Sequence, residues 1–146
     1  MEQETEMKRT EILAYTAGII DGEGSIRISR QKRNACRSGS EYNFEIVVVN
    51  SNEWLIQWLK MQYGGYIYRA HLLPPRKDCW RWVLRSNNGA SFLKLILPYL
   101  NLKKPQAGIA IKFQKRRRRG GYLTNKELTD QETSFNLMRN LNKKGK

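Results

Sequence analysis

Two carboxylates set among glycines are the residues in this chain best placed to do chemistry. Residues 16–24 read TAGIIDGEG, and Asp21 and Glu23 fall where an apolar helical run gives way to a glycine-rich turn. Carboxylates at such a point are ligands for hard divalent cations, which bind through oxygen. A turn of this composition is also common as a solvated helix end, so the acids need context. Other chemistry is thinly supplied. The single histidine, His71, argues against a His-rich zinc site and against any triad that needs a placed imidazole. Cys36 and Cys79 match no paired-ligand spacing and read as reduced thiols of an intracellular protein.

Charge supplies the context. Lysine and arginine number 27 against 13 acids, a net charge of +14. The excess is uneven: residues 1–24 hold six acids and two basic residues, whereas residues 103–146 hold three acids and thirteen basic residues. A small domain so unbalanced repels itself unless a polyanion neutralises it, which points to nucleic acid bound through its phosphates. An anionic membrane surface would require the charge on an amphipathic helix, but most of the central charge lies on strand-like segments. No apolar run approaches the roughly 18 residues of a membrane span, and the acidic start MEQETEMKRT lacks the parts of a signal peptide.

The elements that must position these residues follow from periodicity. Residues 10–21 predict a helix capped by Thr10, with small Ala14, Ala17 and Gly18 on one side and Gly22 next, a face suited to close helix–helix contact. Strands are expected over 25–33 and 41–50, where Ile26 and Ile28, then Tyr42, Phe44, Ile46 and Val48, alternate with polar residues. A helix capped by Asn50 or Ser51 runs to Tyr63 and stops at Gly64. Strands at 65–70 and 78–86 flank a loop containing Pro74-Pro75, and further helices are expected over 90–100, from Pro105 to about Arg119, and from a Thr124/Glu127 capping box onward. The whole is an α+β fold in the order αββαββα: four antiparallel strands in a saddle-shaped sheet with helices on one face. It reads as a single domain over 1–146, with a core at about 8–119 and a basic helical extension over 120–146. The tryptophans at 54, 58, 80 and 82 lie at core spacing.

The open face of that sheet would carry Ser25, Arg27, Ser29, Gln31, Arg33, Asn43, Glu45, Tyr66, Tyr68, Arg81, Val83 and Arg85, basic and aromatic side chains able to enter a DNA groove. The basic run 115–119 reads as a solvated helix end, a nuclear localisation signal or, as preferred here, a phosphate clamp.

The segment TAGIIDGEG resembles the motif of the LAGLIDADG homing endonucleases, with Thr16 in place of the leading Leu and Glu23 in place of the second Asp. Asn50 before an apolar helix and the segment NLKKPQA at 101–107 are similar to the family as well, so the resemblance spans roughly residues 8–115. It implies that two motif helices pack at a twofold axis and bring their terminal acids together to hold divalent metal beside the scissile phosphates. One motif in the chain implies a homodimer. Carried over residue by residue, Glu23 is the catalytic metal-binding carboxylate and the Gly22 carbonyl a further ligand, with Mg2+, or Mn2+ or Ca2+ in the same site. Lys103 lies near the active-site water and scissile phosphate, Asn50 shares that pocket, and Asp21 ends the helix at a dimer face formed with Ala14, Ala17 and Gly18. The partner is double-stranded DNA with a long pseudo-palindromic target, cut with a stagger across the minor groove. Bland readings stand beside these: Asn50 is explained fully by helix capping, and Lys103 by an ordinary surface position. An RNA-splicing maturase that binds its host intron RNA, and a non-catalytic DNA-binding regulator, are the competing functions on the same scaffold.

Overall fold

The computed structural model describes residues 8–32, 39–70, 78–117 and 123–144. Arg33, Cys36, His71, the Pro74-Pro75 loop, Arg118, Arg119 and Gly120-Gly121 lie outside them. The chain opens with α1 (Arg9–Glu23), passes through β1 (Gly24–Lys32) and β2 (Ser40–Asn50) to α2 (Glu53–Tyr63), and returns through β3 (Tyr66–Ala70) and β4 (Cys79–Arg85). Helices α3 (Ser86–Ile96), α4 (Lys104–Arg116) and α5 (Asn125–Lys144) follow. The sheet has the order β1-β2-β4-β3 with every neighbour antiparallel. The expected α+β architecture is therefore present.

Strand alternation sorted the faces correctly. Ile26, Ile28, Tyr42, Phe44, Ile46, Val48, Trp82 and Leu84 are buried beneath the helices, together with Ile56, Leu59, Phe92, Leu93 and Ile96. Trp82 keeps its one donor satisfied by giving its indole N–H to the Gly64 carbonyl at 2.8 Å. Gly65 permits that closeness: at φ +95° its absent Cβ would lie 2.6 Å from the Val83 carbonyl oxygen. Trp54 departs from the core expectation. It stacks on Trp58 with centroids 6.4 Å apart, but in the first turn of α2 it is 62% exposed, and the helix buries Ile56 and Leu59 instead.

Several element ends differ from expectation, each for a local reason. Thr10 sits inside the first turn of α1, and the N-cap position belongs to Lys8, which makes no side-chain cap bond. The same helix continues through Asp21 to Glu23, because the Gly24 N–H still donates to the Ile20 carbonyl. Asn52, rather than Asn50 or Ser51, caps α2 by accepting the Trp54 N–H at 3.0 Å. Helix α3 starts at Ser86, whose φ of +55° turns the chain directly out of β4, and it tightens into a 3-10 turn over Leu97–Tyr99 around Pro98. The Thr124/Glu127 capping box of α5 is formed in both directions, each bond 3.1 Å long.

Helix α5 folds back on the edge strand β1. Met138 is buried, Phe135 packs on Tyr42 with centroids 5.5 Å apart, and the Asn142 amide donates to the Ile26 carbonyl at 3.0 Å. An edge covered in this way is protected from pairing with another chain.

The passage from α1 to β1 is tightly packed against backbone. A Cβ on Gly24 would meet the backbone Cα and carbonyl oxygen of Ile20, both at 2.8 Å. Gly24→Ala should therefore lower stability by about 1–3 kcal/mol, as overpacking against unyielding backbone does. A urea unfolding midpoint unchanged by the substitution would show that the junction has slack.

Candidate functional site

Asp21 organises the end of α1. Its carboxylate accepts the backbone N–H groups of Asn101 at 2.8 Å, Leu102 at 3.2 Å and Lys103 at 3.0 Å. Its backbone carbonyl accepts the Lys103 ammonium at 2.8 Å. Four bonds thus tie the last turn of the motif helix to the segment that opens α4. Asp21 accordingly does not end the helix, and its side chain is committed to its own chain. A lysine on the last carbonyls of a helix is favourable in itself. Here it also fixes the ammonium on the carbonyl two residues before Glu23, the exposed last residue of the same helix.

Removing that carboxylate leaves three donors to water and frees the 101–103 segment. Asp21→Ala should cost about 2 kcal/mol of stability, with Asp21→Asn intermediate because its amide oxygen still accepts. Chemical denaturation of the three proteins checks this; equal midpoints would mean the clamp carries no weight.

Glu23 and Gly22 are both exposed in the last turn of α1. That turn contains no basic residue, and its terminal carbonyls carry the negative end of the helix dipole. Among the described residues no group of three or more His, Cys, Asp or Glu could hold a metal within one chain. Asn50 lies at the same end of the sheet: Gly24 pairs with Val48, two residues before it. The Asn50 side-chain oxygen accepts the Asn52 N–H at 2.8 Å, so its visible work is to shape the entry to α2.

The motif helix presents two different faces. Leu13, Thr16, Ala17 and Ile20 face the chain's own core, and Ala17 is 0% exposed. Ala17 therefore does not share the outer face that was expected to join it to Ala14 and Gly18. Helical spacing placed all three small residues within one broad arc, and only packing separates them. Ala14, Gly18 and Gly22 are exposed, and a Cβ added at either glycine would meet nothing within 4 Å. Thr16, buried where the motif has Leu, donates to the Ile12 carbonyl at 2.7 Å and shares a 2.5 Å bond with the Tyr63 hydroxyl. Burial pushes the Tyr63 phenol above its ordinary pKa, with the Thr16 bond and the Arg9 charge opposing the rise. Sequence reasoning missed this link, since nothing marks a pair 47 residues apart.

On the open face of the sheet the register lines up rows across the strands. Ser25, Val47, Val83 and Tyr66 form one row, and Arg27, Glu45 and Arg85 another. Ser29 pairs with Asn43, and Arg81 stands opposite Tyr68. Arg81, Arg85, Gln31, Tyr66 and Tyr68 are exposed, with Ser25, Arg27, Ser29 and Asn43 half-buried. Val83 is on this face by parity but only 2% exposed, so it is a floor and not a contact. Alternation identifies the face, whereas burial on it depends on neighbours such as Tyr66 opposite, which periodicity does not show.

Two basic features fall differently from expectation. Arg117, part of the supposed phosphate clamp, donates to the Tyr42 carbonyl at 2.6 Å and pairs with Glu41 at 3.3 Å, which makes it a tie between α4 and β2. Lys115 and Arg116 remain exposed. Arg139 and Lys143, unremarked in the sequence, line a hollow beside Arg27 because α5 folds back on β1.

A sheet face with basic and aromatic side chains ends where the acid-bearing helix tip and its lysine meet. No helix among the described residues is long and apolar enough to cross a membrane. The fold is similar to that of the archaeal intron-encoded homing endonuclease I-Vdi141I complexed with DNA, at a TM-score of 0.79 and 17% identity over 92% of this chain and 86% of that one. The homing endonuclease I-CvuI, solved with its target in the presence of calcium, matches at a TM-score of 0.73 and 19% identity over 89% of this chain and 81% of that one. I-SmaMI, bound to uncleaved DNA target with calcium ions, matches at 0.68 and 19% identity over 88% of this chain but only 45% of that one. No curated protein matches the chain in sequence. The model of the LAGLIDADG endonuclease family matches residues 16–117, from the motif helix through the sheet to the end of α4, and the chain belongs to that family.

Proposed function

We propose that this chain is one half of a site-specific, divalent-cation-dependent double-strand DNA endonuclease of the homing type. The observation that carries the reading is the Asp21 clamp, which holds the Lys103 ammonium on the helix tip that presents Glu23. A carboxylate able to hold a cation and a fixed positive charge at one helix end both serve phosphodiester hydrolysis, the first through the metal and the second through the charge that builds on the phosphate.

The donor set fits a hard cation. Glu23 offers an exposed carboxylate and the Gly22 carbonyl a further oxygen, while the Lys103 ammonium occupies the Asp21 carbonyl beside them. Magnesium, when bound, would supply charge stabilisation at the attacking and leaving oxygens. Glu23 and the Gly22 carbonyl would hold it. Lys103 would face the scissile phosphate and offset the negative charge that builds there. Asn50 borders the same region and shapes the loop into α2. Arg27, Arg81 and Arg85, with Tyr66 and Tyr68, would enter the groove and read base edges. Arg139 and Lys143 would extend the phosphate contacts along the flank of β1.

One carboxylate per chain makes a site with too few ligands, which favours a homodimer related by a twofold axis. Ala14, Gly18 and Gly22 offer the face for it, because their small size is not required by anything inside the single chain. Exposed Tyr15 and Trp54 provide apolar surface on the same side of the molecule, each packed on Trp58.

The test is a randomised duplex library of about two helical turns, incubated with the protein in magnesium or in EDTA, with the cut ends sequenced. Recurrent cuts at one site in magnesium alone are expected. Enrichment of a bound sequence without any cutting would leave a binding protein and sink the nuclease reading.

A further inference from the structure

Glu45 stands out on the open face of the sheet because it is an acid in the middle of a surface meant for a polyanion. Its environment explains how it is tolerated. Arg27, directly opposite on β1, donates its Nε to Glu45 Oε1 at 2.6 Å and brings Nη2 to the same oxygen. Arg85, directly opposite on β4, donates its Nε to Glu45 Oε2 at 3.3 Å. Each carboxylate oxygen therefore serves one arginine. The Glu45 side chain is only 14% exposed, while those of Arg27 and Arg85 are 43% and 49% exposed. The acid is recessed and the two arginines rise above it. All three line a concavity of about 450 Å³ with Ser29, Gln31 and Asn43.

The atoms engaged decide what remains available. Arg27 uses the edge formed by Nε and Nη2, which leaves Nη1 and the second Nη2 proton directed away from the acid. That end-on pair is the one that matches the two acceptors of guanine, O6 and N7, in the major groove. Arg85 is engaged through Nε in the same sense, with Tyr68 nearby and the Tyr66 ring 6.0 Å from its guanidinium carbon. The Tyr68 bond and the nearby Glu45 outweigh desolvation and raise the Arg85 pKa above its ordinary value. A free arginine on a sheet surface would sample many rotamers and settle on phosphates as readily as on bases. A carboxylate beneath two of them removes that freedom.

We propose that Glu45 is a positioning residue for sequence recognition, holding Arg27 and Arg85 as a paired reader of two G·C base pairs in each half-site. The proposal rests on the DNA-binding reading above and assigns its specificity to one row of the sheet. Glu45 does not itself contact a base; it fixes the direction of the groups that do.

The experiment is enrichment of bound duplexes from a randomised library in EDTA, where the readout is binding alone. It compares the natural protein with Arg27→Ala, Arg85→Ala, Glu45→Gln and Glu45→Asp. The natural protein should prefer guanine at two positions per half-site, and each arginine variant should erase one. Glu45→Gln should weaken both preferences together, by about tenfold each. Its affinity for random DNA should hold or rise, since a negative charge is gone. Glu45→Asp should fall between, because the charge is kept but the reach is shorter. An unchanged Glu45→Gln profile, or a uniform loss across all positions, would overturn the positioning role. A change at a position that neither arginine variant touches would overturn it in favour of direct base reading by Glu45. If the natural protein enriches no sequence, the DNA-recognition reading falls first and this proposal with it.

Discussion

Glu23→Gln is expected to leave the protein folded and bound to its target while reducing the rate of cutting by about a thousandfold. The side chain is exposed at the tip of α1, so its substitution should alter stability by no more than about 0.5 kcal/mol. Glutamine keeps the shape and one acceptor oxygen but loses the charge that holds a hard cation. A thousandfold loss corresponds to about 4 kcal/mol of transition-state stabilisation, more than a peripheral surface residue supplies. Single-turnover cleavage in excess magnesium is the measurement. A variant that retained a tenth of the natural rate would remove Glu23 from the chemistry. A variant that lost binding in equal measure would make it a DNA contact instead.

The second large effect concerns Gly18. A glycine inside a helix is less favourable than alanine by about 1 kcal/mol, so an interior glycine with open space around its Cα calls for a reason outside the chain. Close approach of a second backbone is such a reason. Gly18→Leu should leave the single chain at least as stable, hold the protein as a monomer, and abolish double-strand cleavage. Sedimentation equilibrium, paired with the cleavage assay, reads all but the first of these, and thermal unfolding reads that one. A dimeric and fully active Gly18→Leu protein would place the contact elsewhere on the surface.

Much of this architecture was legible in the chain because period-two alternation and helix stop signals are local. Ile26 and Ile28 against Arg27 and Ser29 set the sheet's faces, and the Thr124/Glu127 box marked the start of α5 to the residue. Helix ends were less legible where side chains compete for one role. Asn50, Ser51 and Asn52 are all good caps, and only the path of the chain out of β2 selects Asn52. The motif told where the acids are but not how they divide their work. Asp21 grips the 101–103 segment, some 80 residues away in sequence, while Glu23 stays exposed. Burial separated Ala17 from Ala14 and Gly18, and Val83 from the arginines beside it, because both depend on what folds over them. The pairing of Glu45 with two arginines depends on strand register and on the insertion of β4 next to β2, neither of which periodicity reveals.

In the proposed homodimer each active site draws one Glu23 from each of two chains. Co-expression of the natural chain with Glu23→Gln in equal amounts, followed by purification of the mixed population, tests it directly. Random pairing makes about one quarter of the dimers fully natural, as twofold assembly requires. Scission summed over both strands, nicks and double-strand cuts together, should fall to about that quarter of the activity of an equal amount of natural protein, because a mixed dimer then cuts neither strand. Scission falling only to about one half, with nicked duplex accumulating from mixed dimers that cut one strand, would show that each chain cuts alone and would rule out the shared site.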